Sequence, residues 1–166
     1  MEGKTAKLAY RPCVGIMLVN RDGLIWIGRR VDAPDEPEGR GGWWQMPQGG
    51  IDEQEDPRQA ALRELYEETG VRSAEIVEEA PEWVTYELPP SLVGIAWGGR
   101  FCGQRQKWFA ARFLGNDSEI NLAPPGHKVE FDAWRWAPRR EVLDVIVPFK
   151  RGAYEEVLRA FTHLTR

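Results

Sequence analysis

Two cysteines, Cys13 and Cys102, are too few for a disulfide framework or a four-cysteine zinc site. Two histidines, His127 and His163, leave little room for a zinc enzyme or a histidine-based triad. Long apolar runs are missing as well: the longest span a few residues, such as Ile25-Trp26-Ile27, and none could cross a bilayer. Residues 1–10 mix charged and small side chains and lack the apolar block of a secretory leader. What remains is a reduced, cytoplasmic, water-soluble protein. With 166 residues, 42% of them hydrophobic and 29% charged, one domain over 1–166 is expected, with a flexible N-terminus over 1–9.

The charge is distributed unevenly. Residues 35–87 hold 15 acidic and 4 basic side chains, whereas both flanks are net basic, within an overall charge of -4. A simple nucleic-acid binder would be basic throughout. An acidic middle between basic flanks suits a place where metal cations meet a phosphate substrate, although a solvated acidic surface accounts equally for the counts.

Along the chain, Cys13–Val19 is apolar and partly β-branched and ends at the turn signal Asn20-Arg21-Asp22-Gly23, after which Leu24–Arg29 reads as a partner strand. Residues 32–42 form a Pro/Gly-rich polar stretch long enough to be a functional insertion. Trp43–Met46 suggests a short strand before a turn at Pro47-Gln48-Gly49-Gly50, and residues 74–79, 83–88, 106–114 and 131–136 read as further strands. Helices are expected at 57–69, at 138–144 and from Phe149 onward, where Tyr154, Val157, Leu158, Phe161 and Leu164 recur at helical spacing. Strands interleaved with helices indicate an α/β or α+β fold.

The helix at 57–69 is the most informative element. Asp56 is a good N-cap, Pro57 suits the first helical position, and Gly70 supplies a left-handed stop. Ala61, Leu62, Leu65 and Thr69 share one stripe, and Glu64, Glu67 and Glu68 fall in a sector beside it. Glu64 and Glu68 repel at i,i+4, and three carboxylates near a helix C-terminus oppose the helix dipole. Divalent cations such as Mg²⁺ or Mn²⁺ would balance that charge. From helix geometry alone, an exposed acidic face offset by Arg63 and Arg72 explains the pattern as well.

Gly49, Glu55 and the run Arg63-Glu64-Leu65-Tyr66-Glu67-Glu68-Thr69-Gly70-Val71 fill every fixed position of the 23-residue pattern G-x5-E-x7-R-E-U-x-E-E-x-G-U, where U is a bulky aliphatic residue. In this the chain resembles the Nudix hydrolases. The resemblance implies an α/β/α sandwich with a mixed sheet and a loop–helix–loop catalytic element. It also implies hydrolysis of a nucleoside diphosphate linked to another group, with divalent metal held by helix carboxylates. On that reading Glu64, Glu67 and Glu68 are metal ligands, and Gly49 offers a backbone carbonyl. Arg63 and Glu55 support the ligands, Arg63 by orienting a carboxylate through a charge-assisted bond.

Further blocks, from Tyr10-Arg11-Pro12-Cys13-Val14-Gly15 through Gln104-Arg105-Gln106-Lys107-Trp108-Phe109 and Glu130-Phe131-Asp132-Ala133-Trp134 to Phe149-Lys150-Arg151, resemble the bacterial RNA 5′-pyrophosphohydrolases. Plant-type asymmetric dinucleoside tetraphosphate hydrolases share much of the pattern. The resemblance implies removal of pyrophosphate from triphosphorylated RNA, cleavage of dinucleoside polyphosphates, or both. A dedicated diadenosine tetraphosphate hydrolase and a non-catalytic nucleotide- or RNA-binding module are the alternatives. The implied partners are a nucleoside polyphosphate or an RNA 5′ end, with no membrane or DNA.

The same resemblance makes Glu119 a further metal ligand or the base, against the alternative of a surface residue beside Asp117. Arg30 would meet the polyphosphate and Lys150 a phosphate or the attacking water. Phe149 and Tyr86 would sandwich a base, core packing being their other common fate. Trp134 and Trp136 are expected to be structural, and His163 a packing or surface residue.

Overall fold

The computed structural model describes residues 8–31 and 43–166. The expected insertion at 32–42 lies outside the described residues, as do residues 1–7 of the expected flexible N-terminus; Ala9 already opens a strand. Strands β1 (Ala9–Val19), β2 (Ile25–Arg30), β3 (Trp44–Gln45) and β4 (Gln48–Gly50) precede helix α1 (Pro57–Thr69). Then follow β5 (Ala74–Glu79), β6 (Val84–Glu87), β7 (Phe101–Phe113), β8 (Phe131–Ala137), α2 (Arg139–Val145) and α3 (Arg151–Ala160).

The two longest strands, β1 and β7, form the parallel spine of a mixed sheet, in continuous register from Tyr10 opposite Gly103 to Val19 opposite Arg112, with a bulge between Ala9 and Tyr10. On the outer side of β7 lie β5 and β6, both antiparallel to it. On the far side of β1, β4 pairs with Cys13–Gly15 and β2 joins at Val19, with β3 and β8 flanking β2. Gly15 is dictated by this register: a side chain there would enter the indole of Trp108, its partner across the spine.

Period-two alternation sends the spine's side chains to opposite faces. Val14, Ile16 and Leu18 of β1, Trp26 of β2 and Phe109 and Ala111 of β7 pack with Ala60, Ala61 and Leu65 of α1. Met17, Val19, Ile25, Ile27, Trp108 and Ala110 pack instead with Val142 of α2 and Tyr154, Val157 and Leu158 of α3. The result is a sheet with α1 on one face and the other two helices on the opposite face, an α/β/α sandwich.

Trp134 stacks on Trp26 with planes 10° apart and packs edge-on against Trp136, extending the α1-side core. His163 lies at the surface, 2.8 Å from Glu78 Oε2.

Two segments differ from the sequence expectation. Gln48-Gly49-Gly50 is a strand paired with β1 rather than a turn, and neither glycine has a positive φ. Both glycines instead meet close neighbours: side chains there would collide with Glu64 and Arg11, respectively. Strand β7 also starts five residues earlier than expected, because Gly103–Gln106 pair with β6 although Gln104, Arg105 and Gln106 are polar.

Candidate active site

Helix α1 begins and ends as its sequence dictates. The Asp56 side chain accepts a hydrogen bond from the Gln59 backbone N–H, and Gly70 adopts φ 75° and donates its N–H to the Tyr66 carbonyl. This fixes the phase of the helix, so that burying Ala61, Leu65 and Thr69 turns Glu64 and Glu68 toward β4. Glu68 is buried, and its Oε2 accepts from the Gln48 backbone N–H at 3.1 Å. The Glu64 carboxylate lies flat against Gly49.

Arg63 organises the surrounding charge. Its Nε and Nη2 grip Glu55 in a fork at 2.8 and 2.9 Å, Nη2 also donates to the Gly50 carbonyl, and Nη1 donates to Glu64 at 2.8 Å and Glu67 at 3.2 Å. One guanidinium therefore ties the start of the loop–helix element to β4 and to two of the three glutamates. Its hydrogen bonds hold the Glu55 carboxyl below its ordinary range. Glu67 turns its other oxygen toward His127 Nδ1, 3.8 Å away.

The floor of the site is a chain of amides. Trp108 Nε1 donates to Gln106 Oε1, and Gln106 Nε2 donates to both Gln104 Oε1 and Gln48 Oε1. Gln48 in turn contacts Glu68 through its backbone, so the core indole, the glutamines and the helix carboxylate form one connected network. Beside it, Lys150 is buried and donates to Gln45 Oε1 at 3.2 Å.

The three glutamates of α1, with Gln45, Gln48, Gln104 and Lys150, line a groove of about 460 Å³. Glu64, Glu67, Glu68 and Glu130 contribute negative charge, and Arg11, Arg30, Lys128 and Lys150 positive charge. Burial, together with Glu67 and Glu130 and against the pull of Arg63, pushes the Glu64 carboxyl up to about 7. Burial, followed by Glu64 and Glu130, raises Glu68 well above its ordinary value. Carboxylates that raise one another's pKa are a ready receptor for a divalent cation.

Among the described residues, no three His, Cys, Asp or Glu side chains are already gathered around one metal position. The donor set nevertheless fits a hard dication. Mg²⁺ is commonly held by one or two carboxylates, the remaining positions being filled by water and substrate phosphate oxygens. Glu64 and Glu68 supply such a pair on one wall of an oxygen-lined groove.

Several expected site residues meet here: Gly49, Glu64, Glu67, Glu68, Arg30, Lys150 and Tyr86 all line the groove, with Arg63 and Glu55 behind it. Glu119 does not. It sits past the far end of α1, where Oε1 accepts from the Arg72 and Ser73 backbone N–H groups and Oε2 packs against Gly115. Glu119 thus fastens the turn after the helix, and among the described residues the carboxylate that reaches the groove from outside α1 is Glu130.

Tyr86 and Phe149 are side by side but form no slot. Their ring centroids are 5.7 Å apart with planes tilted by 47°. A base held between parallel rings needs about 7 Å, twice the ~3.5 Å contact distance. Phe149 instead borders a second, apolar cavity of about 160 Å³ that adjoins the groove. Three groove residues gave little sign of themselves in the sequence. Arg11, Lys128 and Trp97 are isolated in local context, and only the sheet order and the loop paths bring them in.

The chain matches the NUDIX domain family over residues 9–157. It is 59% identical over 162 residues to a protein of Mesorhizobium japonicum named RNA pyrophosphohydrolase, covering 96% of this chain and 94% of that one. A Rhizobium meliloti protein of the same name is 57% identical over 96% of this chain and 97% of its own. The fold also resembles solved structures at low sequence identity. The MutT protein from Methanosarcina mazei Go1 superposes with a TM-score of 0.64 at 17% identity, covering 96% of this chain and 98% of that one. A C. elegans Ap4A hydrolase does so with a TM-score of 0.63 at 18% identity, covering 92% and 98%. Fold, helix-borne glutamates and sequence agree across nearly the whole length, and the chain belongs to the Nudix hydrolase family.

Proposed function

We propose that this protein is a divalent-cation-dependent RNA pyrophosphohydrolase that releases pyrophosphate from triphosphorylated RNA 5′ ends and also cleaves dinucleoside polyphosphates. The observation that carries the reading is the groove itself, in which Glu64, Glu68 and Glu130 face Arg11, Arg30, Lys128 and Lys150. The name shared by relatives at 57–59% identity supports the RNA substrate.

Glu64, Glu67 and Glu68 would hold the cation, Mg²⁺ or Mn²⁺, with Gly49 lending its carbonyl. When bound, that ion offsets charge on the phosphoryl oxygens and lowers the pKa of the attacking water. The remaining work falls to the chain. Arg11, Arg30, Lys128 and Lys150 receive the polyphosphate, and their spread along the groove aligns the scissile anhydride. The Glu130 carboxylate takes the proton from water, since it reaches the groove from outside the helix. Arg63 keeps Glu64 and Glu67 in place, and the apolar cavity beside Phe149 takes a nucleobase.

The test is product analysis of triphosphorylated RNA and diadenosine tetraphosphate side by side, in oxygen-18 water with Mg²⁺. Pyrophosphate or phosphate released from RNA supports the proposal. Turnover of the dinucleotide alone would instead assign a small-molecule specialist, and no turnover of either a binding module.

A further inference from the structure

Four residues border both the charged groove and the apolar cavity: Arg30, Tyr86, Trp97 and Lys150. Two are cations, and Tyr86 is buried with its ring against Phe149. Trp97 is the remaining ring at that boundary, and it is half-buried.

The backbone of Trp97 is unusual. It adopts φ 53°, ψ 40°, a left-handed conformation that side-chain-bearing residues rarely take. Gly94, Gly98 and Gly99 around it also have positive φ, and a Cβ on Gly94 or Gly98 would touch nothing within 4 Å. Those two glycines are therefore required by backbone conformation rather than by close packing. They set the indole on a short loop between Leu92 and the first residue of β7, closed by hydrogen bonds from Ile95 and Ala96 to the Leu92 carbonyl and by the close approach of Gly99 to the Gly94 carbonyl. One side of the residue packs against the core shared with α2 and α3, and the ring also meets Phe101, edge-on at 6.5 Å, and the Arg11 guanidinium, 5.7 Å from its centroid. Arg11 lines the groove, so the ring stands next to a cation placed to meet phosphate.

We infer that Trp97 is the specificity-determining residue for the nucleobase: its indole stacks on the base of the nucleoside whose 5′-phosphates lie in the groove. A polyphosphate held by Arg11 and the carboxylate-bound cation would leave its nucleoside at the groove's border with the cavity, within reach of that ring. Tyr86 and Phe149, already packed on each other, leave the stacking face to Trp97. The inference rests on the proposed activity toward nucleoside polyphosphates and adds the residue that reads the base. Stacking tolerates every base but favours the larger purine face.

Equilibrium binding of adenosine 5′-triphosphate and of base-free ribose 5′-triphosphate, at fixed Mg²⁺, tests it. The wild type is expected to prefer the base-bearing ligand by about tenfold, and Trp97→Leu to bring that ratio close to one. Trp97→Phe, with a smaller ring, is expected to keep part of the preference, reduced about two- to fivefold. Should Trp97→Leu fail to fold, the phenylalanine variant carries the test, and an unchanged ratio there overturns the inference. So does a wild type without preference, a Trp97→Leu protein that retains it, or one that loses both ligands equally, which would assign the ring to holding Arg11. Pyrophosphate release from RNA by the wild type separates the two claims. Base-dependent binding through Trp97 without RNA turnover refutes the RNA substrate alone, and RNA turnover with an undiminished base preference in the variants refutes the role of Trp97 alone.

Discussion

The Glu64 carboxylate occupies the space that any side chain on residue 49 would need. Gly49 belongs to β4, is held by pairing with Val14 of the central strand, and has no positive φ that would by itself require glycine. The spacing between Gly49 and Glu64 is thus a contact between strand and helix. Gly49→Ala is expected to push the carboxylate aside and lower turnover about 10–100-fold, while thermal unfolding shows the fold retained. Unchanged turnover would mean that the position of Glu64 is immaterial.

Arg63 joins Glu55, Gly50, Glu64 and Glu67 through its three nitrogens. Replacing it with alanine leaves partly buried carboxylates without their counter-charge, and a stability loss of about 2–3 kcal/mol is expected by denaturant unfolding. Lysine cannot reproduce the fork to Glu55, so Arg63→Lys should recover only a minor part of that loss.

Glu64 gives the protein a pH signature. Its carboxyl lies at about 7 in the folded chain, against about 4.3 in an unfolded one. Between those values the native state binds more protons, so this group's contribution to stability is full below about pH 4 and is lost as pH rises through about 7. Cation binding requires the ionised form. Melting temperature in chelator should therefore fall across this window, and the rise on adding Mg²⁺ should be larger at pH 7.5 than at pH 5.5. Glu64→Gln should weaken both trends, the raised carboxyl of Glu68 supplying what remains; a variant that titrates like the wild type would place the effect elsewhere.

Glu119 and Glu130 are separable. Glu130→Gln is expected to lower kcat by about 10²-fold or more with little change in stability, because Glu130 faces the groove. Glu119→Gln removes charge from an acceptor of two backbone N–H groups, so its effect should fall chiefly on melting temperature. The opposite pattern would restore Glu119 to the chemistry.

Local signals carried much of the fold. Helix α1 has the same limits in sequence and structure because Asp56, Pro57 and Gly70 act within one turn of its ends. The continuous apolar runs of β1 and β2 likewise announce two-sided burial. Legibility ends where long-range contact decides conformation. Gln48-Gly49-Gly50 carries turn residues yet pairs as a strand, since its glycines answer to Glu64 and Arg11. Glu119 and Glu130 both stand near apolar or aromatic residues in sequence, and nothing local tells which one the chain brings back to the helix. Trp97 was equally hidden: its glycine neighbours mark a loop, and only the sheet order sets that loop beside Arg11.

Pyrophosphate release from 5′-triphosphorylated RNA as a function of Mg²⁺, in the wild type and in Glu68→Gln, decides whether the helix carboxylates hold a catalytic cation. The wild type is expected to release pyrophosphate only with the cation, not in chelator, and the variant to lose about 10²–10³-fold or more. RNA left with its triphosphate intact by the wild type, or a variant as active as the wild type, would contradict that role.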